Sequence, residues 1–146
     1  MMKVSELVQT AAAEVGCKAV KVDQRVMEAL RLLVWQRFTD AWSIPPMWEH
    51  LKDDSFICAS DAWSWVGEYV GSNDVIMFFD VDDDKSAVVF EDGSSVVAAL
   101  ANSSGFVFYL TDLDASYVLC FNDHDFLIGA GAAVDWIKRK KESEAP

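Results

Sequence analysis

Val75-Ile76-Met77-Phe78-Phe79-Asp80-Val81 is the stretch on which the fold turns. β-Branched and aromatic residues fill it, and its first five positions are the longest strand-like apolar run in the chain. Three further runs of the same kind follow, at residues 87–90, 106–110 and 117–121. Each is short and bounded by Asp, Asn, Ser or Gly, the residues of turns. The four pair as two hairpins, one through Asp82-Asp83-Asp84-Lys85 and one through Thr111-Asp112-Leu113-Asp114-Ala115. They are continuously apolar rather than alternating, which predicts a sheet covered on both faces.

On the N-terminal side of these strands the periodicity changes to that of helices. From Asp23, a residue suited to a helix N-cap, apolar side chains recur at Val26, Leu30, Leu33, Val34 and Phe38 and lay one stripe along a helix. Residues 5–15 form a weaker helix, stopped near Gly16. Pro46 opens a short helix through Leu51. Ser60-Asp61-Ala62-Trp63 starts another, with Trp63, Val66 and Val70 on one face until Gly71. Ser95 to Ala101 reads as a helix, although Asp92-Gly93 between apolar runs is also a hairpin signal and leaves a strand open. The last element, residues 129–141, reads as a helix with Val134 and Ile137 inward and a basic end that suits the negative pole of the helix dipole. The expected architecture is α+β: one domain over residues 1–146, with N-terminal and C-terminal helices packed on a four- or five-stranded, mainly antiparallel sheet. The N-terminal helices are expected on one face and the 95–101 segment on the other.

The chain carries a net charge of −12, and its distribution is uneven. Residues 1–50 are neutral overall, with six basic and six acidic side chains. Residues 51–135 hold two basic against sixteen acidic, a net of −14. Such a field repels phosphate and disfavours nucleic acid as a partner. It attracts a basic protein. No apolar run approaches the ~18 residues of a membrane span, and the N-terminus lacks a stretch of signal-peptide length. Cys17, Cys58 and Cys120 are far apart and odd in number, which points to free thiols, a reducing compartment and a cytoplasmic location.

Several patterns invite a chemical reading. Asp80, Asp82, Asp84, Ser86 and Glu91 fall at positions one, three, five, seven and twelve of an EF-hand calcium loop. Lys85 stands where that loop needs Gly, and the flanks are strands rather than helices, so a solvated hairpin tip is the expectation. Asn122-Asp123-His124-Asp125 holds side chains able to bind a metal or do acid–base work, against the ordinary reading of an Asx turn after a strand. Gly129-Ala130-Gly131 lacks the third glycine of a dinucleotide loop. No catalytic nucleophile motif is present. The expectation is a non-enzyme with no cofactor and no bound metal. Six tryptophans, at 35, 42, 48, 63, 65 and 136, are read mostly as core, with one of Trp63 and Trp65 exposed as an interface anchor.

A small acidic α+β chain without a catalytic motif resembles the immunity proteins of bacterial toxin–immunity systems, including those of contact-dependent inhibition. The segment from Phe108-Tyr109-Leu110-Thr111-Asp112 through Asn122-Asp123-His124-Asp125 to Gly131 is also similar to a pattern in small uncharacterised bacterial proteins. The resemblance implies an antitoxin that binds and neutralises a cognate basic toxin, such as a nuclease, and it assigns no residues. Charge and turn placement do: Asp82, Asp83, Asp84, Asp112, Asp114, Asp123 and Asp125 are expected to form one acidic face for a basic partner. The alternatives are an acidic housekeeping adaptor kept soluble by its charge, and a small metal-dependent enzyme using the 122–125 turn.

Overall fold

The computed structural model describes residues 2–40, 44–103 and 105–144. In chain order the elements are α1 (Val4–Glu14), β1 (Ala19–Lys21), α2 (Gln24–Phe38), β2 (Ser55–Cys58), α3 (Val66–Val70), β3 (Val75–Phe78), β4 (Val88–Phe90), α4 (Ser94–Ala101), β5 (Phe108–Thr111), β6 (Tyr117–Phe121), β7 (Phe126–Gly131) and α5 (Val134–Ser143). Single 3₁₀ turns add Met47–His50 and Ala62–Trp65. The strands form one antiparallel sheet in the order β1-β4-β3-β5-β6-β7-β2. None of the described helices is long and apolar enough to cross a membrane.

Side chains of β3 alternate between two cores, as the period of a strand requires. Val75 and Met77 join one apolar cluster, Ile76 and Phe78 the other. Both faces are therefore covered, which is why the run is continuously apolar. The coverage differs from expectation in one respect: the two N-terminal helices part company. α1 sends Val8 and Ala12 into the face shared with α3, α4 and α5, whereas α2 covers the opposite face with Met27, Leu30, Val34, Trp35 and Phe38. β1 lies between α1 and α2 in the chain and pairs with β4 at the sheet edge, so the chain changes face there.

The Asp23 carboxylate caps α2 by accepting from the amides of Arg25 and Val26. Met27, Leu30, Val34 and Phe38 form the inward stripe, and Val26 is 45% exposed. Positions 26 and 27 both lie within a turn of Leu30. The buried arc is centred toward Val34 and Phe38, which leaves Val26 at its margin.

The sheet has seven strands rather than four or five. The additional ones are β1, β2 and β7. β7 occupies ground read as the start of the C-terminal helix, and that helix begins only at Val134, with Trp136 and Ile137 buried on its inner side and Val134 half-buried. The glycines of β7 are packing residues. A Cβ at Gly129 would sit 2.7 Å from Ile137 Cγ1, and one at Gly131 would sit 2.6 Å from Phe38 Cε1. Gly131 also adopts a φ of +65°, open to glycine at little cost. The missing side chains let α5 approach one face of the strand and α2 the other.

The segment 94–101 is helical, as expected, and Asp92-Gly93 begins it rather than a hairpin: Asp92 Oδ1 accepts from the amide and hydroxyl of Ser94. Trp63 and Trp65 are both half-buried against the core around α3 and α5, so neither is the exposed anchor anticipated. Trp42 lies outside the described residues.

Candidate functional site

The strand registers place the acidic turns. β3 runs antiparallel to β5, so the turn that follows β3 and the loop that follows β5 leave opposite ends of the sheet. β6 runs back against β5, and the 122–125 turn between β6 and β7 therefore emerges at the end where β3 finishes. Asp82, Asp83, Asp123 and Asp125 share that end, and Asp112 and Asp114 lie at the other. Even at the shared end the two turns are centred three strands apart, about 14 Å at ~4.8 Å per strand. That exceeds the screening length of about 8 Å at physiological salt. The seven aspartates do not form the single acidic face expected of them, because alternating strand direction sends successive loops to alternate ends.

Asp84 is not a surface charge at all. It is 5% exposed, with Oδ2 accepting from the Ser5 amide at 2.9 Å and Oδ1 from the Ser86 amide at 2.9 Å. Burial pushes its carboxyl up, but the hydrogen bonds from Ser5 and Ser86 and the nearby Lys3 outweigh burial and hold it below the usual carboxylate range. The residue fastens the start of α1 to the turn after β3.

Asp80, four residues earlier, is 8% exposed. Its Oδ1 accepts from the Met47 amide at 2.8 Å and its Oδ2 from the Tyr109 hydroxyl at 2.9 Å. The same hydroxyl accepts from the Trp48 amide at 3.1 Å. Burial raises the Asp80 carboxyl above its usual range, against the pull of these donors and of Arg31. Burial likewise drives Tyr109 far up, so it stays a neutral donor. Two of the would-be EF-hand ligands thus spend their oxygens on separate sets of protein donors. Among the described residues, no three of His, Cys, Asp and Glu are grouped closely enough to hold a metal ion.

The 122–125 turn is built by Asn122, whose Oδ1 accepts from the amides of His124 and Phe126, while Asp125 takes a φ of +62°. His124 Nε2 lies 3.7 Å from Asp123 Oδ1, both side chains being largely exposed, and the ring stands edge-on to Trp48. The other histidine, His50, lies with its ring centre 6.2 Å from that of Trp35.

At the opposite end, the α3–β3 connection and the β5–β6 loop enclose a cleft of about 510 Å³ between Tyr69, Asn73, Asp74, Asp112, Asp114 and Tyr117. Asp112 is drawn into its own loop, accepting from the amide and hydroxyl of Ser116. Asp74 was not singled out by sequence, where a lone Asp before a strand looks like any turn residue. Burial, and after it Asp112, raises both the Tyr69 and Tyr117 hydroxyls; Tyr69 and Asp74 add to the effect on Tyr117.

Few of the carboxylates are neutralised locally. Among the described residues the ion pairs are His124 with Asp123, and Lys140 with Glu68 and Glu144. Among the described residues Asp82, Asp83, Asp112 and Asp114 form no ion pair, while Arg31 acts on Asp80 and Asp84, and Lys3 on Asp84, without direct contact. No protein-family model matches the chain, and it has no match among curated proteins or solved structures.

Proposed function

We propose that the chain is a non-catalytic binding protein that docks on a basic protein and neutralises it, in the manner of the toxin-system immunity proteins it resembles. The observation that carries this reading is the charge imbalance: sixteen acidic against two basic side chains over residues 51–135, of which Glu68 alone is in a Lys or Arg ion pair among the described residues. Opposite fields steer two proteins together and speed their encounter. Free cysteines at 17, 58 and 120 accord with a cytoplasmic site of action, where an incoming toxin would be met.

The test is direct. The purified chain is mixed with the protein encoded beside it, and complex formation and loss of that protein's toxic activity are measured together. Stoichiometric inhibition supports the reading, and neither binding nor protection overturns it.

One observation favours a second reading. The acidic turns are spread over both ends of the sheet instead of gathered on one face, a distribution that suits an adaptor whose charge maintains solubility. In that case binding to any partner would be insensitive to salt.

A further inference from the structure

On the face of the sheet opposite α2, the end of α4 and the strands β5 and β6 enclose a pocket of about 210 Å³. Phe108 and Leu100 form its floor, 2% and 6% exposed, and Trp63, Phe106 and Phe121 wall it, each half-buried. Four aromatic residues thus line one concavity. Phe106 meets Phe108 at 65° with ring centres 6.3 Å apart, and Phe108 meets Phe121 at 30° and 6.3 Å. The rings make a corner rather than a plane.

Charge selects among ligands of that size. Among the described residues no Lys, Arg or His lines the pocket, and no carboxylate does either. α4 ends at its rim with Leu100 and Ala101, so the negative pole of that helix lies there. Aromatic ring faces are negative too, and the chain as a whole carries −12. All three favour a cation. An ordinary ammonium needs hydrogen-bond acceptors to replace its water. The one hydroxyl in the wall, that of Ser103, is already donated to the Ala99 carbonyl, and no carboxylate stands beside it. A methylated ammonium has no N–H to satisfy, and aromatic rings alone can hold it.

We propose that this pocket binds a quaternary ammonium group, carried by a small molecule of the size of choline. A dry apolar cavity of ~150 Å³ admits a benzene ring, so about 210 Å³ takes one trimethylammonium head and little more. Trp63, Phe106, Phe108 and Phe121 supply the cage, and the end of α4 supplies the negative pole. The site stands apart from the capture of a basic protein and does not depend on it.

The probes are choline, dimethylbutanol (its uncharged isostere, with carbon in place of nitrogen), ethanolamine and N-acetyl-trimethyl-lysine amide. Each is titrated into the isotope-labelled chain and followed by NMR. Choline should give saturable shifts confined to Trp63, residues 100–103 and 105–108, and Phe121. It should bind about tenfold tighter than dimethylbutanol or ethanolamine. Phe106→Leu and Phe121→Leu keep the wall apolar but remove a ring, so each should weaken choline about fivefold and leave dimethylbutanol nearly unchanged. The isostere comparison is made on the wild-type chain and stands even where a leucine variant loses its fold. Trimethyl-lysine binding more tightly than choline would assign the same chemistry to a protein tail. Dimethylbutanol binding as tightly as choline would overturn the proposal. So would shifts spread over the 82–84 and 123–125 turns, indifference to both leucine variants, or no saturable shift at all.

Discussion

Asp80 and Tyr109 meet inside the protein, carboxylate to hydroxyl at 2.9 Å, and that bond ties the 3₁₀ turn Met47–His50 to the centre of the sheet. Asp80 ends the segment after β3 and Tyr109 lies in β5, so the pair joins neighbouring strands while their other bonds reach the Met47 and Trp48 amides. Tyr109→Phe would leave the Trp48 amide without its acceptor and Asp80 with one donor fewer. We expect a loss of about 1–3 kcal/mol in denaturant unfolding. A loss below ~0.5 kcal/mol would show that the clamp is unimportant.

The two buried aspartates predict opposite pH behaviour. Asp80 is raised in the folded state, so its contribution is full below its unfolded pKa and is lost as pH rises through the folded value. Asp84 is lowered, so its contribution is present above the unfolded pKa, near 3.9, and is lost as pH falls through the folded value. Asp84→Asn should therefore flatten the acid limb of a stability–pH curve, and Asp80→Asn should flatten the limb on the higher-pH side. Identical curves for the two variants would contradict the assignment.

Gly129 has room for no side chain between β7 and α5. Gly129→Ala is expected to cost about 1–3 kcal/mol as overpacking, with the loss measured by chemical denaturation. An equal or higher stability would mean that Ile137 moves aside freely.

Calcium should not bind tightly at the turn after β3, since Asp80 and Asp84 are engaged by Met47, Tyr109, Ser5 and Ser86. Titration calorimetry should show no saturable heat at micromolar calcium, and a melting temperature unmoved by the ion.

The parts of this fold that were legible in the sequence are local ones. Asp23 and the spacing from Leu30 to Phe38 announce α2 by themselves, and the apolar runs of β3 to β6 with their polar turns announce two hairpins. β7 was hidden because Gly129 and Gly131 look like loop residues until Ile137 and Phe38 are seen pressing on them. β1 is three residues long, too short to carry a period. The division of the acidic loops between two ends depends on β3 pairing with β5, a contact between segments some thirty residues apart. The same distance concealed Asp80, whose partner Tyr109 turns an apparent surface carboxylate into an interior one. The cleft is illegible in the sequence for a related reason, as Tyr69 comes from α3, Asp74 from the connection to β3 and Tyr117 from β6.

The central claim, that the acidic ends serve to capture a basic protein, is tested most directly by the association rate with the partner at several salt concentrations. Three chains are compared: wild type, Asp82→Lys with Asp83→Lys at one end, and Asp74→Lys with Asp114→Lys at the other. All these positions are exposed, so the reversals should leave the fold intact. The wild-type rate should fall as salt rises, and reversal at the cleft end should slow association about tenfold or more at low salt and flatten its salt dependence. Rates that ignore salt and are the same for all three chains would contradict the claim.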